Sequence, residues 1–166
     1  MWFKTLEQAY LAGIDAVILQ EVFLAPLIKK SFPGLRVHLS TQASLMNYHG
    51  IAQFPEADLV VLARELNQAE IKIIREHTNK ELEVFVHGHL CISYSGQCLI
   101  SSLIGKRSGN RGVCASSCRK PYNQEGYLIS AKDLMLANSI DKIYKLGINA
   151  VKIEGRMKSP EYVATT

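Results

Sequence analysis

The chain has 166 residues, of which 48% are hydrophobic and 20% are charged, and its formal net charge is +4. This is the composition of an ordinary globular protein, and the length is enough to bury one full hydrophobic core. The sequence has no run of 18 apolar residues, which excludes a membrane-spanning helix, and its start lacks the features of a secretory signal. We therefore expect a cytoplasmic protein, in which structural disulfides are rare.

Amphipathic helical segments alternate with short apolar segments along the chain. Each predicted helix leads, often through a glycine, into a strand rich in β-branched residues, as expected for strands buried on both faces. The predicted helix and strand pairs are 4–12 with 16–19, 21–30 with 36–39, 45–53 with 59–62, 68–76 with 83–86, and 133–146 with 150–153. Ser159 and Pro160 form a start signal for one more helix.

Repeated helix and strand units predict an α/β fold with a parallel sheet and right-handed crossovers. Five strands are too few for a closed eight-stranded barrel, which typically needs about 200 residues or more. An open doubly wound sheet is the alternative, but no G-x-G-x-x-G follows any strand. We predict a partial TIM-barrel-like (β/α) domain over 1–166, forming the second half of a longer barrel whose other strands are missing. A Cys-rich insertion, 87–122, separates the fourth strand from the fifth.

Polar side chains follow the predicted strands, at the ends where parallel α/β folds place their chemistry. Three of them are candidate catalytic groups, each with a structural role as its alternative: His87, Glu65 and Glu154. Three others are candidate substrate-binding groups: Gln42, Arg64 and Arg156. Guanidinium groups grip carboxylates and phosphates, although a salt-bridge role is equally compatible with the pattern. No P-loop, G-x-S-x-G or H-E-x-x-H motif is present.

All four cysteines of the chain lie within the segment 87–122: Cys91, Cys98, Cys114 and Cys118. The gaps between them are six, fifteen and three residues. Zinc sites usually pair cysteines two to four residues apart, and the first gap is too long for that. Irregular gaps in a Gly-rich loop favour an iron–sulfur cluster over zinc, over redox-active thiols and over no metal at all.

The same segment carries Lys106, Arg107, Arg111, Arg119 and Lys120 and contains no Asp or Glu. Such a cluster favours a phosphate backbone or an acidic substrate. It also suits a second purpose, which is to offset the negative charge of thiolate ligands. The two interpretations are compatible.

The stretch EVFVHGHLCISYSGQCLISS, at 83–102, resembles the signature of peptidase family U32, the collagenase-like peptidases. The residues that match are Glu83, Phe85, Gly88, Leu90, Cys91, Gly96, Cys98, Ile100 and Ser101. The chain departs from the signature at His89, where the family usually has Ser or Ala. Further blocks resemble the family in its own order: HLSTQASLMN, LARE, GKRSGNRGVCASSCRKPY, SAKDL and KIEGRMKSPEYVA.

The resemblance implies an N-terminal barrel-like domain and two kinds of activity. Some family members are described as proteases that act on collagen, and others hydroxylate a pyrimidine in tRNA or ribosomal RNA. Further relatives assist oxygen-independent hydroxylation in ubiquinone synthesis. Several members carry a 4Fe–4S cluster on four cysteines, and the tRNA enzymes depend on prephenate.

Carried over by position, the four cysteines would be the cluster ligands. We expect an iron–sulfur enzyme that hydroxylates tRNA or rRNA, with a collagenase-like peptidase and a non-catalytic iron–sulfur accessory protein as alternatives. In this hypothesis Arg107, Arg111 and Arg119 contact RNA phosphates or an acidic co-substrate such as prephenate. Arg64 and Arg156 anchor substrate carboxylates.

Overall fold

The structure is a computed structural model that describes residues 2–156 and 158–166. The chain divides into two compact units, 1–83 and 84–166. The boundary falls within the long strand β4, Glu81–Gly88. Each unit is described by itself below.

The first unit alternates helices with parallel strands. Its helices are α1 (Trp2–Leu11), α2 (Ala25–Ser31), α3 (Tyr48–Ala52) and α4 (Gln68–Glu76), and its strands are β1 (Ala16–Leu19), β2 (Arg36–Leu39), β3 (Leu59–Val61) and the first residues of β4. Neighbouring strands pair in the order β1-β2-β3-β4, all parallel. The predicted α/β fold with a parallel sheet is confirmed.

Alternation along β2 explains how this unit buries its core. Val37 and Leu39 are fully buried, while Arg36 and His38, on the opposite face, are partly exposed. The buried face packs against helix α2, whose Ile28 is also inaccessible to water. Burying aliphatic side chains of this size stabilises a fold by about 1.5–3 kcal/mol each.

The start of helix α4 is fixed by side-chain hydrogen bonds at its N-terminus. The Asn67 side chain accepts hydrogen bonds from the backbone N–H groups of Ala69 (2.9 Å) and Glu70 (3.1 Å). The Glu70 carboxylate accepts in return from the Asn67 backbone N–H at 2.7 Å. This reciprocal capping box satisfies donors that the first helical turn leaves unpaired.

The second unit continues from β4 and has shorter elements. They are α5 (Ile100–Gly105), β5 (Leu134–Met135), α6 (Ile140–Lys145), β6 (Ala150–Ile153) and α7 (Pro160–Thr165). The end of β4 pairs with β5 in antiparallel register, His87 opposite Met135 and Gly88 opposite Leu134. Strand β6 also pairs with β4.

The prediction of one continuous helix over 133–146 is wrong. Residues Leu134–Met135 form strand β5, and the helix α6 begins only at Ile140. The reason is that strand β4 offers free backbone groups there: the Leu136 N–H donates to the Val86 carbonyl at 2.9 Å. An antiparallel ladder thus uses the donors and acceptors that a helix would have used.

No helix among the described residues is both long enough and apolar enough to span a membrane.

Candidate metal centre and substrate-binding residues

Three of the four thiols lie in one neighbourhood of the second unit. Burial raises the pKa of the Cys118 thiol, Cys91 and Cys114 raise it further through charge repulsion, and Arg119 opposes them. The thiols of Cys91, Cys98 and Cys118 are half-buried and that of Cys114 is exposed. All four are free thiols, and Cys98 lies two residues before helix α5.

Backbone and hydroxyl groups donate hydrogen bonds to these sulfurs or lie beside them. The Ser116 backbone N–H donates to Cys114 Sγ at 3.3 Å, and the Ile92 backbone forms a hydrogen bond with Cys118. Ser93 Oγ lies 3.4 Å from Cys91 Sγ, and Ser101 Oγ lies 3.5 Å from Cys114 Sγ. Donors aimed at sulfur stabilise thiolates and tune the potential of iron–sulfur centres.

The donor set therefore fits a soft metal or an iron–sulfur cluster in its chemistry. Among the described residues, no three His, Cys, Asp or Glu side chains are already gathered to hold a metal ion. Metal binding to such a loop would draw the sulfurs together, as in other sites whose geometry forms on binding.

Arg119 is engaged within the protein in a way that the sequence did not predict. Its Nη2 donates to the Leu90 carbonyl at 3.1 Å and lies 2.8 Å from Asp133 Oδ1. Its Nη1 donates to Ser130 Oγ at 3.1 Å and to the Ala131 carbonyl. Both terminal nitrogens of the guanidinium bind internal partners, which favours a structural role over the substrate-binding role that we expected.

Asp133 is the residue that the sequence analysis missed in this cluster. Its position before an apolar segment indicates a helix N-cap, yet its carboxylate contacts Arg119 and lies 3.4 Å from His89 Nε2. Lys158 Nζ lies 2.9 Å from the same ring nitrogen of His89. No local pattern reveals these partners, because they lie between 14 and 69 residues apart along the chain.

Arg156 lies over the turn that precedes Cys114. Its Nη2 donates to the Gly109 carbonyl at 3.4 Å, and a Cβ placed on Gly112 would meet Arg156 Nε. Gly112 is buried and has a φ of +80°, so a side chain there is disfavoured by backbone strain and would displace the flexible end of Arg156. Arg156 remains exposed, which leaves room for the substrate-anchoring role as well.

The two remaining arginines of the basic segment differ in how they are held. Arg107 is exposed but its Nε donates to the Val113 carbonyl at 2.9 Å, which fixes the direction of the side chain. Arg111 is exposed on the turn that ends at Gly112. Both remain suitable contacts for an anion.

His87 and Glu154, two candidate catalytic residues, come together at the end of β4. The Glu154 backbone N–H donates to the His87 carbonyl at 3.0 Å. The His87 ring lies 6.0 Å from the Tyr162 ring, between centroids. This proximity is compatible with a shared site in the second unit.

The other candidates belong to the first unit. The Gln42 backbone N–H donates to Ser40 Oγ at 3.2 Å, at the start of the 3₁₀ turn that follows β2. Arg64 is partly buried and Glu65 is exposed, both just after β3. The sequence placed all three beyond strand ends, and the structure agrees on that placement.

The first unit also contains two polar groups that we had not proposed as site residues. Gln20 Oε1 and His38 Nε2 are buried and have no hydrogen-bond partner among residues 2–156 and 158–166. Burial lowers the pKa of His38, with Arg36 acting in the same direction and Glu83 opposing it. A histidine whose pKa is shifted by burial and by neighbouring charges is a candidate functional group. The sequence signal for both residues was their position at the ends of the first two strands.

Comparison with known proteins gives a consistent family. The family model described as peptidase family U32 matches residues 2–166. The tRNA hydroxylation protein P1 of Bacillus subtilis is 39% identical over 182 residues, which is 99% of this chain and 42% of that protein. The 23S rRNA 5-hydroxycytidine C2501 synthase of Escherichia coli is 34% identical, over 96% of this chain and 26% of that protein.

A relative named collagenase, from Porphyromonas gingivalis, is 35% identical over 98% of this chain and 44% of that protein. The solved structure of the U32 peptidase Mk0906 has the same fold, with a TM-score of 0.55 and 18% identity. The match covers 91% of this chain and 60% of that one. The chain spans less than half the length of these curated relatives. By the match over nearly all of its residues, the chain belongs to peptidase family U32.

Proposed function

We propose that the protein containing this chain is an iron–sulfur enzyme that hydroxylates a pyrimidine of tRNA or rRNA. The observation that carries the proposal is the 39% identity, over 99% of this chain, to a protein named for tRNA hydroxylation. The similarity to a protein named as an rRNA hydroxycytidine synthase supports the same reaction class.

The basic segment supports an RNA substrate. Lys106, Arg107, Arg111 and Lys120 are all exposed, and the segment 87–122 contains no acidic residue. Cations placed this way bind phosphates without regard to sequence and hold RNA at the site. Arg119 is left out of this surface because its guanidinium is engaged inside the unit.

Cys91, Cys98, Cys114 and Cys118 would hold a 4Fe–4S cluster, with zinc as the less favoured occupant. When bound, such a cluster supplies electron transfer or an open iron site. Two protein groups would help to hold the sulfurs: the Ser116 N–H donates to Cys114 Sγ, and Arg119 partly offsets the burial that raises the pKa of the Cys118 thiol. Arg64 and Arg156 are candidates for binding a small acidic co-substrate such as prephenate.

The direct test is nucleoside analysis of RNA from a strain that lacks the full-length gene. We expect 5-hydroxyuridine or 5-hydroxycytidine to disappear and to return on complementation with the wild-type gene. Complementation with Cys91→Ala should fail at normal protein level, whereas Lys145→Ala, an exposed change outside the basic segment, should restore the nucleoside. Unchanged 5-hydroxypyrimidine levels in the deletion strain would refute the proposal.

RNA binding itself is tested with purified full-length protein at several salt concentrations. Each phosphate contact removed lowers the slope of log K against log salt by about 1. We expect this change for Arg111→Ala and not for the Lys145→Ala control. Equal slopes for both variants would remove Arg111 from the RNA-binding surface.

A peptidase is the second candidate, favoured by the similarity to the protein named collagenase. It predicts that pure full-length protein cleaves gelatin, and that the cleavage is absent from an active-site variant such as Glu154→Gln. A non-catalytic accessory protein predicts neither activity. Anaerobic purification, followed by iron and sulfide analysis and an ultraviolet–visible spectrum, tests the cluster independently of either reaction.

A further inference from the structure

The cysteines that we propose as ligands come from segments far apart along the chain. Cys91 follows β4, whereas Cys118 lies in the 3₁₀ turn Ser117–Arg119. Three residues are enough to connect Cys114 with Cys118, but 26 residues separate Cys91 from Cys118. Something other than local chain geometry must therefore fix the distance between Cys91 and Cys118.

One side chain connects these segments. Arg119, the neighbour of Cys118, donates from Nη2 to the carbonyl of Leu90, the neighbour of Cys91, at 3.1 Å. The same guanidinium reaches the third segment, 130–133, through Ser130 Oγ (3.1 Å), the Ala131 carbonyl and Asp133 Oδ1 (2.8 Å). The Arg119 side chain is only 19% exposed, whereas that of Asp133 is 54% exposed, so the guanidinium is held from inside the unit and its ion pair faces water on one side.

We propose that the Arg119–Asp133 pair is a clamp that ties the segment of Cys91 to the segment of Cys118, so that both thiols can reach one metal centre. Asp133 fixes the orientation of the guanidinium, and the guanidinium fixes the backbone at Leu90. Arg119 and Asp133 are thus positioning residues and not ligands. This inference rests on the proposed metal centre for its purpose, although the clamp itself is a feature of the protein alone.

Lysine cannot replace arginine in this role. The guanidinium is a planar fork with donors directed to several acceptors at once, whereas an ammonium is a compact point charge on a flexible stem. Arg119→Lys keeps the charge and removes the geometry. Asp133→Asn keeps the shape and one acceptor oxygen and removes the charge, so we expect the same defects in a milder form.

The first readout is the retention of iron by full-length protein purified without oxygen. Loss of groups that position metal ligands typically lowers metal affinity about 10–100-fold. We expect Arg119→Lys to lose iron to a chelator at correspondingly lower chelator concentration, and its absorption spectrum to change. Arg111→Lys, a change at an exposed arginine in the same segment, is the matched control for this readout and should retain iron as the wild-type protein does.

The second readout needs no metal. Diamide, an oxidant that converts two thiols into a disulfide, is added to metal-free full-length protein, and the disulfides are mapped by mass spectrometry. The link between Cys114 and Cys118 is local, whereas the link between Cys91 and Cys118 requires the clamp. We expect the ratio of the second link to the first to fall in Arg119→Lys and to stay unchanged in Arg111→Lys.

The outcomes separate the clamp from the metal centre. If wild-type protein contains no iron or sulfide, the proposed centre is wrong, and the disulfide ratio alone then decides whether the clamp exists. If Arg119→Lys does not fold, as judged by circular dichroism, Asp133→Asn provides the same comparison. Wild-type iron retention and a wild-type disulfide ratio in the folded variants would overturn the proposal.

Discussion

Replacing Gly88 by alanine should destabilise the second unit more than replacing a glycine at which a new side chain meets open space. Gly88 is the last residue of β4, is buried, and has a φ of +113°. A Cβ built at this position lies 2.5 Å from the Cβ of Glu154, just beyond strand β6. The obstructing atom is next to the backbone, so it cannot swing away as the end of a long side chain can.

The magnitude has two parts. A side chain at positive φ costs about 1–2 kcal/mol through backbone strain. Relieving the contact with Glu154 requires the end of β6 to move away from β4, which weakens the hydrogen bond from the Glu154 N–H to the His87 carbonyl (3.0 Å). Overpacking and a weakened hydrogen bond together add about 1–3 kcal/mol. We therefore expect a loss of about 2–5 kcal/mol.

Gly126 provides the matched control for the strain alone. It has a φ of +94°, and nothing lies within 4 Å of a Cβ built there. Gly126→Ala should cost only the strain part, about 1–2 kcal/mol. Urea unfolding of both variants, followed by circular dichroism, measures the difference in free energy of unfolding. Equal losses for Gly88→Ala and Gly126→Ala would refute the argument from the Glu154 contact.

Three further predictions concern the first unit. Burial acts to raise the pKa of Asp58, but hydrogen bonds from Lys29 and the Val37 N–H outweigh it and lower that pKa. The resulting stability is present above the ordinary pKa of an aspartate, about 3.9, and is lost as pH falls through the pKa that Asp58 has in the folded protein. Urea titrations should therefore show a smaller decrease in the free energy of unfolding at acid pH for Asp58→Asn than for the wild type. The lowered pKa of His38 means that the unfolded chain binds its proton more readily. Stability should therefore fall as pH drops below about 6.5, and this fall should be smaller in His38→Gln; equal profiles would contradict it. Asn67→Ala removes the capping box of α4 and should cost about 1 kcal/mol by urea unfolding, whereas no loss would show the cap to be dispensable.

Much of the first unit was predictable because its elements are decided by local patterns. The predicted strands 16–19 and 36–39 and the helix 68–76 coincide with β1, β2 and α4. The capping box at the start of α4 is written into a few neighbouring residues. The strands were predicted to be buried on both faces, whereas β2 is fully buried on one face only, because Arg36 and His38 on its other face remain partly exposed. The segment 45–53 was harder: the helix α3 begins only at Tyr48, where Asn47 caps it by accepting from the Gly50 N–H.

The cysteine quartet was also visible in the sequence, as donor chemistry concentrated in one acid-free segment. The sequence alone thus determined the α/β class, the bounds of several elements, the family signature and the set of sulfur donors. Only the tertiary structure decided what Arg119 and Asp133 do and that residues 134–135 pair with β4 instead of starting a helix. The physical reason is that these outcomes depend on partners distant along the chain: Arg119 meets Leu90 across 29 residues, and the backbone of β5 meets a strand edge nearly 50 residues earlier. Local propensity cannot encode such competition between distant donors and acceptors, because it is settled only when the chain has folded.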